Sequence, residues 1–317
     1  VSRKDLQLFA LSESRVLGEA VARVLGTELA ELEERQFEDG EHKARPLESV
    51  RDRDVYVLQS LNGEAGRSAN DKLCRLLFLA ATLKQNAAAR VTVLAPYLCY
   101  SRKDRQTKSR DPVTTRYVAA LLEASGVDRV ATLDVHNPAA FQNAYRCGTE
   151  HLSAQGLFAE HFAKRLAGEQ VVVMSPDVGG AKRAEAFRRV LQERLNTEVG
   201  NAFMEKHRSG GEVTGQAVVG EVENRRVLLI DDLISTGGTL ARAARACRQR
   251  GARSVEAAAT HGLFTQGGEP LREPALSRIV TTNSVTGTSL AEDLRRDKLE
   301  VLDVAPVLAE AIRRMHG

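Results

Sequence analysis

Cysteine is scarce in this chain: the 4 cysteines, at positions 74, 99, 147 and 247 of 317, show neither CxxC spacing nor a disulfide framework. That points to a reducing compartment. Charge of one sign is missing too. Lys and Arg number 45 against 42 Asp and Glu, a net +3, which is too small for a nucleic-acid-binding surface. No apolar run approaches the length that spans a bilayer, so no membrane partner is expected. The first residues, "VSRKDLQLFALSES", have a basic start but only a short apolar run and no convincing cleavage site, so no signal peptide is read there. What remains is 43% hydrophobic and 27% charged, the make-up of a soluble globular protein long enough for two domains. A cytoplasmic enzyme or regulator is the expectation.

Short apolar runs alternate with amphipathic segments almost throughout, the rhythm of parallel strands joined by helices. "LQLFAL" precedes "SESRVLGEAVARVLG", with Ser at the start and Gly at the end of a helical pattern. "DVYVLQS", a long helical segment and "RVTVLAPY" follow, and the pattern resumes after about residue 150 with "QVVVMSPD" and "AKRAEAFRRVLQERL". The fold class expected is α/β, a three-layer arrangement in two halves divided at 148/149. Each half holds a strand, polar loop, helix, strand unit. The first has Gln59-Ser60 where the second has Asp231-Asp232. Duplication explains this, and so does the common grammar of βαβ units.

The segment "VLLIDDLISTGGTL", residues 227–240, carries the most chemistry. An apolar strand ends in two acids, and ligands of open parallel sheets bind beyond the carboxyl ends of strands. Ser235, Thr236, Gly237, Gly238 and Thr239 then supply backbone N–H groups, hydroxyls and a helix start, a cradle for phosphate. Carboxylates beside a phosphate are electrostatically wrong unless they hold something else, and adjacent sugar hydroxyls fit. The string therefore suits a phosphorylated pentose. A helix cap with two solvated acids would use the same residue types. A P-loop is excluded, because no Gly-Lys-Ser/Thr follows the glycines.

This string resembles the PRPP-binding motif of type I phosphoribosyltransferases. Together with "FEDGEHKARPLESVRDRDVYVLQS" (37–60), "PYLCYSRKDRQTKSRDPVTTRYVAALL" (96–122), "TLDVHN" (132–137), "MSPDVGGAKRA" (174–184) and "ATHGLF" (259–264), it resembles the ribose-phosphate diphosphokinases, or PRPP synthetases, over nearly the whole chain. The resemblance implies two tandem phosphoribosyltransferase-like domains, 1–148 and 149–317, each a mostly parallel sheet flanked by helices. The sugar loop of the first would be degenerate. It implies magnesium-dependent transfer of the diphosphoryl group of ATP to the 1-hydroxyl of ribose 5-phosphate, giving PRPP and AMP, in a homo-oligomer built on dimers, with a hexamer as one form.

The resemblance also implies roles for single residues. Asp231 and Asp232 would hold the ribose hydroxyls and 235–239 the 5-phosphate. Arg102 and Lys103 would grip ATP, although the family has Gln where Lys103 stands. Phe37, Asp39 and Glu41 would contact adenine from a neighbouring subunit. His136 and Asp177 match magnesium-site positions, and Asp177, Gly179 and Gly180 the diphosphate loop. Lys206 and Arg208 match the catalytic loop, which departs here from a Lys-Arg-Arg-Pro start. "HNPAAFQNAY" stands where the family has an H-x-D-Q-I-Q-G-F-F run. Two other readings use the same motifs: a phosphoribosyltransferase that consumes PRPP, which needs no ATP site, and a non-catalytic PRPP-synthetase-like subunit.

Overall fold

The computed structural model describes residues 6–209 and 212–317; between 206 and 216 only strand backbone belongs to that description. The chain forms two compact units. One comprises Val1–Ser153, Ser284–Gly287 and Asp303–Gly317, the other Ala154–Asn283 and Thr288–Leu302. The break thus lies a few residues beyond the expected 148/149, and the last segment returns to the first unit instead of staying with the second.

In the first unit, β1 (Leu6–Ala10), β4 (Asp54–Leu58), β5 (Arg90–Ala95), β6 (Arg129–Leu133) and β7 (Gly148–Leu152) form a parallel five-stranded sheet in that order. Strand order never reverses along it. β2 (Leu32–Gln36) and β3 (His42–Pro46) make a separate antiparallel ribbon. Between the strands lie α1 (Arg15–Leu25), α2 (Ala69–Gln85), α3 (Thr114–Ala124) and α4 (Pro138–Ala144). Val55, Val57, Val91 and Val93 share a core with Leu76 and Leu79 of α2 and Val118 and Leu122 of α3. α2 starts on a capping box, Ser68 with Asp71, and α4 on Asn137 with Pro138 in its first turn.

The closing helix, α9 (Ala305–His316), packs on α1. Its apolar face (Leu308, Ile312, Met315) is buried, and burying that stripe is what draws it there. Its end is fastened by polar contacts. His316 Nδ1 lies 2.7 Å from Asp54 Oδ2, and Arg90 donates to the Met315 carbonyl at 2.8 Å.

In the second unit the order is β10-β9-β8-β11-β12-β13-β14. These strands are β8 (Val171–Ser175), β9 (Gly200–Ser209), β10 (Glu212–Val219), β11 (Arg226–Ile234), β12 (Ser254–Gly262), β13 (Arg278–Thr282) and β14 (Leu299–Leu302). All neighbours are parallel except β10, which folds back on β9. α5 (Gln155–Leu166) packs on α6 (Ala181–Leu195), and α6 also lies on β8, β9 and β11. α7 (Gly238–Gln249) shares its core with Val172, Met174, Val227 and Leu229; α8 (Glu292–Lys298) precedes β14. The chain leaves β8 through α6 for β9 on one side, and leaves β11 through α7 for β12 on the other. The strand order therefore reverses between β8 and β11, and an α/β sheet opens a crevice at such a point.

Candidate active site

β11 is the strand on which the site is built. Val227, Leu228, Leu229 and Ile230 are buried between β8 and β12, as a central strand requires. Asp231 still pairs with Ala259 of β12, and Asp232, only 4% exposed, follows it near the carboxyl end. The chain then turns over Ser235, Thr236 and Gly237 into α7. The Thr265 N–H donates to the Ser235 carbonyl at 3.0 Å, and the hydroxyls of Ser235 and Thr265 lie 3.2 Å apart. Gly237 has φ +86°, and a Cβ there would come within 2.3 Å of Leu271 Cδ2. Backbone conformation and close packing both demand glycine at that turn.

The loop after β8 is a second turn of the same kind. Asp177 Oδ1 accepts the Gly180 N–H at 3.0 Å, and Ser175 Oγ donates to the Asp177 carbonyl at 2.5 Å. A Cβ on Gly180 would sit 2.5 Å from Ser175 Oγ, and one on Gly179 would be 3.3 Å from Asp177 Oδ1. α6 and α7 begin at Gly180 and Gly237 with no side-chain cap, in contrast to α2 and α4. Two helix starts whose N-cap residue is a glycine, with no side chain of its own to cap the first turn, therefore flank the reversal point, although Thr236 Oγ1 accepts the Gly238 N–H at 3.4 Å. Helix starts of this kind bind phosphate.

The two acids are joined by a cation that the sequence reading did not single out. Arg183 Nη1 lies 3.0 Å from Asp231 Oδ1 and 3.4 Å from Asp232 Oδ1. The Asp232 N–H donates to the same Asp231 oxygen at 2.8 Å. Burial, followed by the hydrogen bond and charge of Asp232, pushes the Asp231 carboxyl well above the ordinary carboxylate range, while Arg183 pulls it down. The one signal for Arg183 in the sequence is its place in the first turn of a helix opened by two glycines. It is 1 of 45 basic residues, and that signal is weak.

The remaining candidates of this unit, Lys206 and Arg208, fall on β9, and their side chains lie outside the described residues.

The other candidates belong to the first unit. Phe37, Asp39 and Glu41 form the tip of the β2–β3 ribbon. The Phe37 N–H donates to the Glu41 carbonyl at 2.8 Å, Asp39 Oδ1 accepts the Glu41 N–H at 3.0 Å, and the Arg35 guanidinium lies 4.8 Å from the Phe37 ring centroid. Phe37 is 37% exposed, available to a flat partner. Arg102 and Lys103 lie on the loop between β5 and α3. Lys103 Nζ donates to Asp111 Oδ2 at 2.8 Å. That oxygen also accepts from Thr107 N (3.1 Å), Thr107 Oγ1 (2.6 Å) and Lys108 N (3.0 Å). Lys103, the departure from the family, is thus tied into the loop that carries Arg102, and these contacts hold the Asp111 carboxyl below its usual range. His136 is exposed at the end of β6. Its neighbour Asn137 donates to Asp104 Oδ2 at 2.5 Å, joining that strand end to the same loop. Gln59 and Ser60, at the place matching Asp231-Asp232, are buried. Gln59 donates to Glu13 Oε2 (3.2 Å) and Ser60 to the Ser284 carbonyl (2.6 Å).

The whole chain has counterparts among known proteins. Residues 6–126 match the family model for the N-terminal domain of ribose phosphate pyrophosphokinase, and residues 196–317 match the phosphoribosyl synthetase-associated domain. Ribose-phosphate pyrophosphokinase 1 of Streptococcus pyogenes is 36% identical over 321 residues, which cover 100% of this chain and 96% of that one. The ribose-phosphate pyrophosphokinase of Listeria ivanovii is 37% identical, with 98% and 94% covered. Among solved structures, phosphoribosylpyrophosphate synthetase from Mycobacterium smegmatis aligns with a TM-score of 0.87 at 34% identity, over 98% of this chain and 99% of that one.

Proposed function

Because the chain belongs to the ribose-phosphate pyrophosphokinase family, we propose that it transfers the diphosphoryl group of ATP to the 1-hydroxyl of ribose 5-phosphate, giving PRPP and AMP. The hydroxyl oxygen attacks the β-phosphorus, and the bond from that phosphorus to the α,β-bridging oxygen breaks. AMP leaves with the bridging oxygen, and the hydroxyl proton passes to solvent. Positioning and charge stabilisation dominate such a transfer.

The observation that carries this reading is the pair Asp231–Asp232 beside an uncapped helix start at the strand-order reversal. The acids accept the pentose hydroxyls, while Ser235, Thr236, Gly237, Gly238 and Thr239 take its 5-phosphate. Gly179 and Gly180 receive the diphosphate. Arg102 and Lys103 bind the triphosphate, with Phe37, Asp39 and Glu41 of a neighbouring subunit on the adenine. Lys206 and Arg208 stabilise charge in the transition state. The protein works as a cytoplasmic homo-oligomer. Among the described residues no helix is long and apolar enough to cross a membrane.

Magnesium suits the donors present. Asp177 offers a hard carboxylate already fixed by the Gly180 N–H, and no group of three or more His, Cys, Asp or Glu among the described residues could hold a metal alone. That is the donor set for an ion that keeps its waters and arrives with substrate phosphates. Asp177 would bind it, and the ion would neutralise charge on the triphosphate.

Incubation with ATP, magnesium and ribose 5-phosphate tests the proposal. AMP formed only when the sugar is present is the expected product. ADP, or AMP formed regardless of sugar, overturns it.

A further inference from the structure

The pentose acids present a physical problem that the backbone alone does not solve. Consecutive residues of a strand point to opposite faces, yet a vicinal diol needs two acceptors on one side. Two adjacent carboxylates, one of them 4% exposed, also resist ionising together, and a protonated acid would donate where an acceptor is needed. A single guanidinium nitrogen answers the first difficulty and opposes the second, pulling the Asp231 carboxyl down against burial and Asp232. Arg183 Nη1 reaches Oδ1 of Asp231 at 3.0 Å and Oδ1 of Asp232 at 3.4 Å, drawing the two oxygens to one point. All three side chains are mostly out of solvent, at 22%, 20% and 5% exposure for Arg183, Asp231 and Asp232, so the charges are weakly screened.

Arg183 is itself well placed to be rigid. It sits in the first turn of α6, whose start is fixed by the Asp177–Gly180 hydrogen bond and by the contact of Gly180 with Ser175. The first turn of α6 carries Lys182 and Arg183, the loop before it Asp177, the carboxyl end of β12 His261, and the first two turns of α7 Arg242. Arg242 donates to Thr239 Oγ1 at 3.3 Å, within its own helix. β8 contributes no charged side chain.

We infer that Arg183 is a positioning residue for the pentose: it holds Asp231 and Asp232 as a fixed pair turned toward the sugar hydroxyls. The inference rests on the reading of this site as the ribose 5-phosphate site. It assigns Arg183 no contact with substrate; its effect passes through the two acids. Removing it leaves burial and the Asp232 carboxyl opposed only by the Asp232 N–H, so Asp231 takes up a proton at higher pH.

Calorimetric titration of ribose 5-phosphate from pH 6 to 9 tests this with the full-length wild type, Arg183→Gln and Arg183→Lys, with ATP titrated in parallel. For Arg183→Gln the expected result is roughly 10- to 100-fold weaker sugar binding at neutral pH, the scale of lost hydrogen bonds to charged groups. The pH below which sugar binding fails should also move upward. Arg183→Lys should return that pH close to the wild-type value while recovering only part of the affinity, since an ammonium lacks the planar fork. ATP affinity should stay unchanged. A Gln variant with the wild-type sugar affinity and pH profile overturns the inference and leaves the function standing. So does equal loss of sugar and ATP binding in both variants, which marks a folding role. A wild type that binds ATP but no ribose 5-phosphate overturns the functional reading itself.

Discussion

Asp231 carries the Arg183 guanidinium and the Asp232 N–H on the same oxygen, yet burial and the second acid raise its carboxyl to about 8. In the unfolded chain it titrates near ~3.9. Between those values the folded state holds the extra proton, so stability owed to this group is full at low pH and is lost as pH rises through the folded value. Asp231→Asn, which cannot ionise, should therefore gain melting temperature relative to wild type as pH goes from 5 to about 8.5 in ligand-free protein. Thermal melts across that range check it, and a constant difference would mean that Asp231 is not perturbed. The acids themselves were legible in the sequence, because two carboxylates ending an apolar strand have few other uses. Arg183 was not, since its nearer partner Asp231 lies 48 positions away and its helix, Ala181–Leu195, carries several other arginines.

Among the elements, the turn into α7 depends on a segment that gave no signal. Leu271 and Thr265 belong to an irregular stretch, Thr265–Arg272, with positive φ at Gln266, Gly267 and Gly268. That stretch backs the loop through Leu271 against Gly237 and Thr265 against Ser235. Gly237→Ala should cost about 1–3 kcal/mol of stability from the left-handed backbone alone, with more from the Leu271 clash. Sugar binding should weaken with it. Leu271→Ala removes the clash, so the double variant should be less destabilised than the sum of the singles; denaturant melts of the four proteins give that coupling. Strict additivity would show that Leu271 does not press on the turn.

The same physics explains which elements could be read. Strands such as Val171–Ser175 and Arg226–Ile234 are apolar because both faces are covered. The ribbon Leu32–Gln36 and His42–Pro46 reads LEERQ and HKARP, partly exposed strands without an apolar face, so nothing in its pattern announces β-structure. The edge strand Gly148–Leu152 reads GTEHL, with little apolar content to find, and the edge strand Leu299–Leu302 is apolar but too short to show a period.

At the scale of the whole molecule, the rhythm of strands and helices showed two α/β halves, but not that the closing helix docks on the first unit. Its apolar stripe, Leu308, Ile312 and Met315, announces a buried face without naming the surface that buries it. The proposed sharing of Phe37, Asp39 and Glu41 between subunits leads to a complementation experiment. Phe37→Ala/Glu41→Ala and Lys206→Ala proteins should each be nearly inactive. Mixed under subunit exchange, some interfaces join an intact ribbon tip to an intact catalytic strand, and activity should partly return. Exchange verified by mass spectrometry with no activity regained would place the ribbon tip in its own chain's site. The central claim, that the acid pair reads the pentose while the nucleotide is held elsewhere, is tested most directly by calorimetric titration of an Asp231→Ala/Asp232→Ala protein with ribose 5-phosphate and, separately, with ATP. Loss of sugar affinity by roughly 1.5–3 kcal/mol per charged hydrogen bond, with ATP affinity little changed, is the predicted result; equal losses for both ligands would contradict it.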